Sequence, residues 1–199
     1  MAKAKRKKRF FDVEMPLIRK ETQLQAYEIK DLDGRLIKYN LTRILKGKSL
    51  LLQLKVKVEN EEATSVPKEL KLLSYYLRKM IRKGTNYVED SFSTNCKNAQ
   101  IRIKPFLITR RKVSRAVRKA LREKTKEELI EYAKTKNSEE IFEEVLKNQL
   151  QKTLSLKLKK IYPLSLCEIR TLKVEKEIKQ EKEIEQKKEI EQKKEIKKE

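Results

Sequence analysis

Leu50, Leu52, Leu54, Val56 and Val58 alternate with Leu51, Gln53, Lys55, Lys57 and Glu59, the period of a strand with one buried face and one wetter face. A helix would scatter those five apolar side chains around its axis, so this segment can only be extended. Period two dominates from Phe10 to about Ile108, and after Arg111 the apolar residues change to helical spacing. Strands followed by helices predict an α+β fold.

The punctuation refines that order. Gly34, in Asp31-Leu-Asp-Gly34, marks a turn leading into an extended run from Leu36 to Leu45. Further strands are expected at Tyr87 to Thr94 and Gln100 to Ile108, with Pro105 demanding a bulge, bend or edge inside the second. Between the strands, Pro67 and Gly84 read as the start and stop of a helix with Leu70, Leu73, Leu77, Met80 and Ile81 on one face. Arg78, Lys79, Arg82 and Lys83 load its last turn, where they suit either the helix dipole or a polyanion.

Val113, Val117 and Leu121 open the helical half, and Asn137 with Glu140 has the form of a capping box. Phe142, Leu146, Leu150, Leu154 and Leu158 recur every four residues on the helix that follows, which should end near Ile161-Tyr162-Pro163. Cys167, Ile169 and Thr171, set against Glu168, Arg170 and Leu172, predict one last strand returning to the sheet.

The charge is distributed unevenly along this framework. Between Ser91 and Arg122 stand ten basic residues and no acid: Lys97, Arg102, Lys104, Arg110, Arg111, Lys112, Arg115, Arg118, Lys119 and Arg122. The formal charge is +22, and residues 175–199 hold nine Lys against nine Glu, so residues 1–174 carry all of it. Self-repulsion of that size is relieved by a polyanion, and nucleic acid is the leading candidate. Alternation puts Arg102 and Lys104 on the strand face opposite Ile101 and Ile103, so burial of the isoleucines leaves both cations outward.

Three regions follow. Residues 1–9 hold six basic side chains and no large apolar one beyond Met1, predicting an extension disordered until it meets phosphate. Residues 10–174 form one domain with one modest core. Residues 175–199 repeat a Lys/Glu hexad whose Ile178, Ile184, Ile190 and Ile196 do not share a helix face, so a frayed helix or disorder is expected and no coiled-coil dimer.

Several functional classes lose support. With no histidine in the chain the usual general base and commonest metal ligand are missing, and Cys96 and Cys167 make no zinc pattern. Gly34, Gly47 and Gly84 form no phosphate loop, and no catalytic role or cofactor is assigned to any residue. No window approaches the ~20 apolar residues of a membrane helix, and the basic start lacks the apolar stretch of a secretory signal. The cysteines are expected to be unpaired small side chains, and Phe10, Phe11 and Phe92 are assigned to core packing before base stacking. Phosphate contacts and shape should then carry binding.

Several segments resemble a known family. Arg78-Lys-Met-Ile-Arg-Lys-Gly84-Thr85, then Ile101-Arg-Ile-Lys-Pro105-Phe-Leu-Ile-Thr109, then Lys159-Lys-Ile-Tyr-Pro163-Leu with Glu168-Ile-Arg170, are similar to the archaeal and eukaryotic small-subunit ribosomal proteins called S-three-A-e, or eS-one. Phe11-Asp12-Val13 and Gly34-Arg35 fit the same pattern, in order across about residues 6–174. The resemblance implies a mainly antiparallel β-barrel with packed flanking helices, seated on the small-subunit platform near the rRNA 3' end and the messenger exit. It implies a cytoplasmic structural protein, with small-subunit rRNA, neighbouring platform proteins and messenger RNA near the exit as partners.

Two features depart from the pattern. Val113-Ser114-Arg115 stands where the family carries a Thr-Ser-Gln element, and the hexad tail has no counterpart. The residues assigned to rRNA phosphates are Lys5, Arg6, Lys7, Lys8, Arg9, Arg78, Arg82, Lys83, Arg102, Lys104, Arg110, Arg111, Lys112, Arg115, Arg118 and Lys119. A free RNA-binding or RNA-processing factor is the competing reading.

Overall fold

The computed structural model describes residues 7–45, 47–60 and 62–177. Strand β1 (Arg9–Met15) turns at Pro16–Arg19 into β2 (Lys20–Ala26), and a short 3-10 turn (Ile29–Leu32) leads through Gly34 to β3 (Leu36–Asn40). Gly34 takes φ +74° and donates its N–H to the Val56 carbonyl, 2.9 Å away. That positive φ is why glycine stands at this turn. The extended run stops at Asn40, whose side chain accepts from the Thr42 backbone at 3.0 Å and bends the chain before Leu45.

Strand β4 (Leu50–Glu59) buries Leu50, Leu52, Leu54 and Val56, the alternation expected of it. Strand β5 (Glu62–Leu72) lies antiparallel to it along its whole length. This corrects the helix expected from Pro67. In β5 the buried positions are Ala63, Ser65 and Pro67, then Leu70 and Leu72, and the register slips by one residue opposite Gln53/Leu54. The bulge shifts the phase of the alternation, so a period-two segment mimics helical spacing in one dimension. Only Ser74–Met80 is helical, as α1, so Arg82 and Lys83 stand beyond the helix rather than in its last turn.

Strands β6 (Tyr87–Glu89) and β7 (Phe92–Asn95) divide the expected Tyr87 to Thr94 strand at Asp90-Ser91. Both pair with β8 (Ala99–Thr109), one after the other along the same strand. Strand β9 (Leu164–Glu177) runs antiparallel to β8, and the ladder slips between Lys104 and Pro105, the bulge that Pro105 demands.

The strand order is β2-β1-β5-β9-β8-β6, with β3 and β4 branching from β5 and β7 from β8. The sheet is not closed into a barrel: among the described residues no ladder joins β2 to β6. Strand β5 gives one edge to β4 and divides the other between β1, at Thr64, and β9, at Glu69–Lys71, so the sheet branches instead of forming a ring. Pro67, which has no N–H, falls where β5 leaves one partner for the other.

Helices α2 (Arg115–Thr135), α3 (Ser138–Leu146) and α4 (Gln149–Leu158) fill the stretch between β8 and β9. Asn137 and Glu140 form the capping box of α3, with Asn137 N–H donating to Glu140 at 3.3 Å. The four-residue leucine ladder does not run through one helix. It breaks at Asn148, which takes φ +58°, a conformation asparagine tolerates, and whose Oδ1 accepts from Lys48 Nζ at 2.6 Å. The same Nζ meets Glu168 at 2.6 Å, with the two side chains 10% and 11% exposed. Gln151 Nε2 donates back across the break to the Val145 carbonyl at 2.9 Å.

Leu121, Leu129, Ile141, Phe142, Val145, Leu150, Leu154 and Leu158 join the sheet's Leu52, Leu70, Ile101, Ile103 and Leu172 in one buried cluster. Arg9 already belongs to β1, opposite Ala26, and β9 continues to Glu177. Residues 1–6 of the basic extension and 178–199 of the hexad tail lie outside the described residues. No described helix is long and apolar enough to cross a membrane.

Candidate nucleic-acid interface

The pairing of β6 with β8 sets Tyr87 opposite Ile108 and so brings Asn86 beside Thr109. Thr109 is fully buried, and its backbone N–H donates to the Asn86 carbonyl at 2.9 Å. The Thr109 hydroxyl lies 2.7 Å from the Arg111 carbonyl and accepts from Asn86 N–H at 3.0 Å, while Asn86 Oδ1 accepts from Val113 N–H at 2.9 Å. These bonds hold the loop 110–113 by its backbone and leave Arg110, Arg111 and Lys112 exposed. The turn just before Asn86 carries exposed Arg82 and Lys83 and is closed by Thr85, whose hydroxyl donates to the Arg82 carbonyl at 2.7 Å. Two basic segments 27 positions apart, by the Asn86–Val113 bond, are thereby brought to one end of the sheet.

Helix α2 continues that surface. Ser114 caps it by accepting from Val117 N–H at 3.4 Å. Leu121, Thr125, Leu129 and Ala133 face the core. Arg115, Arg118, Lys119 and Arg122 fall at i, i+3, i+4 and i+7 on a common face and line a cleft of about 290 Å³ with Tyr87 and Val88. No carboxylate lines this cleft. Lys119 approaches Glu123 at 3.7 Å, a solvent-exposed pair of little energetic weight. Arg118 Nε is buried and has no hydrogen-bond partner among the described residues.

Other assigned residues stand apart. Ile101 and Ile103 are buried, and Arg102 and Lys104 take the opposite face as alternation requires. Their surroundings are mixed in sign: Arg102 pairs with Glu175 at 2.8 Å, and Lys104 lines a cleft shared with Glu69, Glu89, Asp90 and Arg170. Arg78 is exposed on α1. Lys7, Lys8 and Arg9 are exposed at the β1 end, with Lys8 Nζ 5.6 Å from the Tyr27 ring centre. Lys5 and Arg6 lie outside the described residues.

Of the phenylalanines assigned to packing, Phe92 is buried and Phe11 packs against the core, but Phe10 points outward at 63% exposure. It sits on the solvent side of β1, where alternation with buried Val13 and Met15 sends it. Asn86, Thr109, Tyr87 and Arg122 were not singled out for the site. Arg122 is legible as the i+7 member of the α2 face, whereas the other three depend on the β6–β8 pairing.

No group of His, Cys, Asp or Glu among the described residues could hold a metal ion. Burial pushes the Cys96 thiol up to about 11 and, with Glu168 adding to burial, the Cys167 thiol up to about 12, so both free cysteines stay protonated at neutral pH. The carboxylates with partners serve packing: Glu144 binds Tyr132 and Lys136 between α2 and α3, and Glu128 binds Lys157 between α2 and α4 at 2.5 Å.

A cationic face set on a strand end and one side of a helix, in an α+β fold, is an arrangement that suits a polyanion. The chain belongs to the Ribosomal S3Ae family, whose model matches residues 2–178. It is similar to the small ribosomal subunit protein eS1 of Nanoarchaeum equitans, 27% identical over 178 residues, covering 85% of this chain and 90% of that one. The eS1 protein of Pyrobaculum aerophilum is 30% identical over 69% of this chain and 63% of its own length. That of Methanothermobacter thermautotrophicus is 32% identical over 51% and 53%.

Proposed function

We propose that this protein is a structural constituent of the small ribosomal subunit, not an enzyme, and that it holds rRNA by Lys and Arg contacts to phosphate. The observation that carries this reading is the gathering of exposed Arg82, Lys83, Arg110, Arg111 and Lys112 at one end of the sheet, continued along α2 by a cleft lined by Arg115, Arg118, Lys119 and Arg122 and by no carboxylate among the described residues, in a chain of a ribosomal family. Backbone anchoring of the 110–113 loop supports it, since a fixed loop presents its cations without a large ordering cost. The basic residues 1–9 add a separate contact by threading between rRNA segments. Arg102 and Lys104 contribute less, because acidic neighbours already compensate them.

The seat on the platform, near the rRNA 3' end and the messenger exit, follows from the family resemblance, with neighbouring platform proteins as the protein contacts. The test is sedimentation of a native cytoplasmic lysate through sucrose gradients at moderate and high salt. One copy per small subunit, retained through the high-salt wash, is the expected result. Migration at the top of the gradient, or spread over mixed RNA, would make the protein a free RNA-binding factor.

A further inference from the structure

Phosphate alone does not need a cleft, and one part of the cationic face has more than charge. Tyr87 lines the cleft together with Arg115, Arg118, Lys119 and Arg122 and is 53% exposed. Its ring lies offset on that of Phe106, centroids 6.1 Å apart and planes 24° apart. Phe106 is buried and is the diagonal neighbour of Tyr87 across the β6–β8 ladder, so it holds the tyrosine ring from one side while about half of the tyrosine stays exposed. An immobilised aromatic ring beside four cations is the pairing of features that grips an unstacked base and its phosphate together.

The cations are available for that use. Among the described residues none of Arg115, Arg118 and Arg122 makes an ion pair and the buried Arg118 Nε finds no acceptor. The guanidinium is therefore held in the wall without being neutralised there. A volume of about 290 Å³ falls just below the ~300–1,000 Å³ of small-molecule pockets, room for no more than one nucleotide inside the cleft.

We infer that this cleft seats a single unpaired nucleotide of the bound RNA, its phosphate among Arg115, Arg118, Lys119 and Arg122 and its base stacked on the exposed ring of Tyr87. A base inside a helix has both faces covered, so the nucleotide must be bulged, looped or single-stranded. Stacking on a tyrosine discriminates poorly among bases, so the site reads unpairedness rather than sequence. This inference rests on the RNA-binding reading above.

The test uses the full chain and two RNA hairpins, one with a single bulged 2-aminopurine in its stem and one fully paired. At equal salt the bulged hairpin should bind more tightly, and 2-aminopurine fluorescence should be quenched on binding. Tyr87→Val should weaken the bulged complex by about fivefold or more, the equivalent of ~1 kcal/mol of base stacking, and leave the paired complex unchanged. Tyr87→Phe should retain tight binding and quenching.

If wild-type protein binds both hairpins equally with no quenching, while Arg115→Gln/Arg118→Gln still weakens both, the cleft is a backbone contact only and the nucleotide site is refuted with the RNA reading intact. If wild-type protein binds neither hairpin, the RNA reading itself fails and takes the site with it. The wild-type quenching result decides the matter even if the valine variant folds poorly.

Discussion

Replacing Arg110, Arg111 and Lys112 together by Gln removes three cations from a loop whose backbone is held by Asn86 and Thr109. None of the three side chains makes an ion pair among the described residues, and all are exposed. Folding stability should therefore change by less than ~0.5 kcal/mol, the usual size for surface substitutions without structural contacts. Binding should change far more. Each phosphate neutralised on a duplex contributes ~0.9 to the slope of log K against log salt, so three contacts account for ~2.7. Between about 50 and 200 mM salt, that difference in slope corresponds to a ~40-fold change in relative affinity. Fluorescence anisotropy with a short labelled RNA duplex across a salt series measures both slopes. An unchanged slope, with the variant folded, would refute the assignment of this loop to phosphate.

Other perturbations separate positioning from charge. Asn86→Ala leaves net charge untouched but strips the acceptor from Val113 N–H; RNA affinity should fall while the salt slope stays near wild type, and a normal affinity would mean the loop needs no such anchor. Lys48→Met leaves Glu168 buried without its cation and should cost ~3–5 kcal/mol in urea unfolding. Lys48→Met/Glu168→Leu should recover most of that loss, and equal destabilisation of the two variants would contradict the pair's role. The hydrogen bond from Lys157 holds the Glu128 carboxyl below the usual carboxylate range, outweighing the burial that opposes it. A depressed folded-state pKa stabilises above the unfolded value and is lost as pH falls through the folded one. Lys157→Ala should thus lower the Tm at neutral pH and converge with wild type in acid; a gap constant down to acid pH would argue against the ion pair.

The parts of the fold that depend on local period or one residue's chemistry were legible in the sequence. The β4 alternation, the Asn137–Glu140 capping box and the Pro105 bulge are of this kind. What escaped was set by tertiary partners. The β5 bulge turned a strand into apparent helical spacing, and the leucine ladder is interrupted at Asn148, whose side chain is held by Lys48 from 100 positions away. Sheet closure was not readable either, because the division of β5 between β1 and β9 depends on strands far apart in sequence.

The site shows the same division. The basic face of α2 follows from spacing alone, whereas its union with Arg82 and Lys83 requires the β6–β8 ladder. Arg102 and Lys104 were placed on the correct side of β8, but the acids that face them come from β5, β6, β9 and the turn after β6. Counting cations along the chain cannot reveal such compensation.

The central claim is that one face, and not the total charge, seats this protein on the small subunit. The direct measurement is competition between tagged variants and wild-type protein for incorporation into small subunits, read as copies per subunit after a high-salt gradient. Neutralising Arg110, Arg111, Lys112, Arg115, Arg118 and Lys119 should exclude the variant from the subunit peak. A folded variant with six other exposed cations neutralised, Lys38, Arg43, Lys126, Lys134, Lys152 and Lys159, should be retained. Equal exclusion of the two variants, or retention of the first, would contradict the claim.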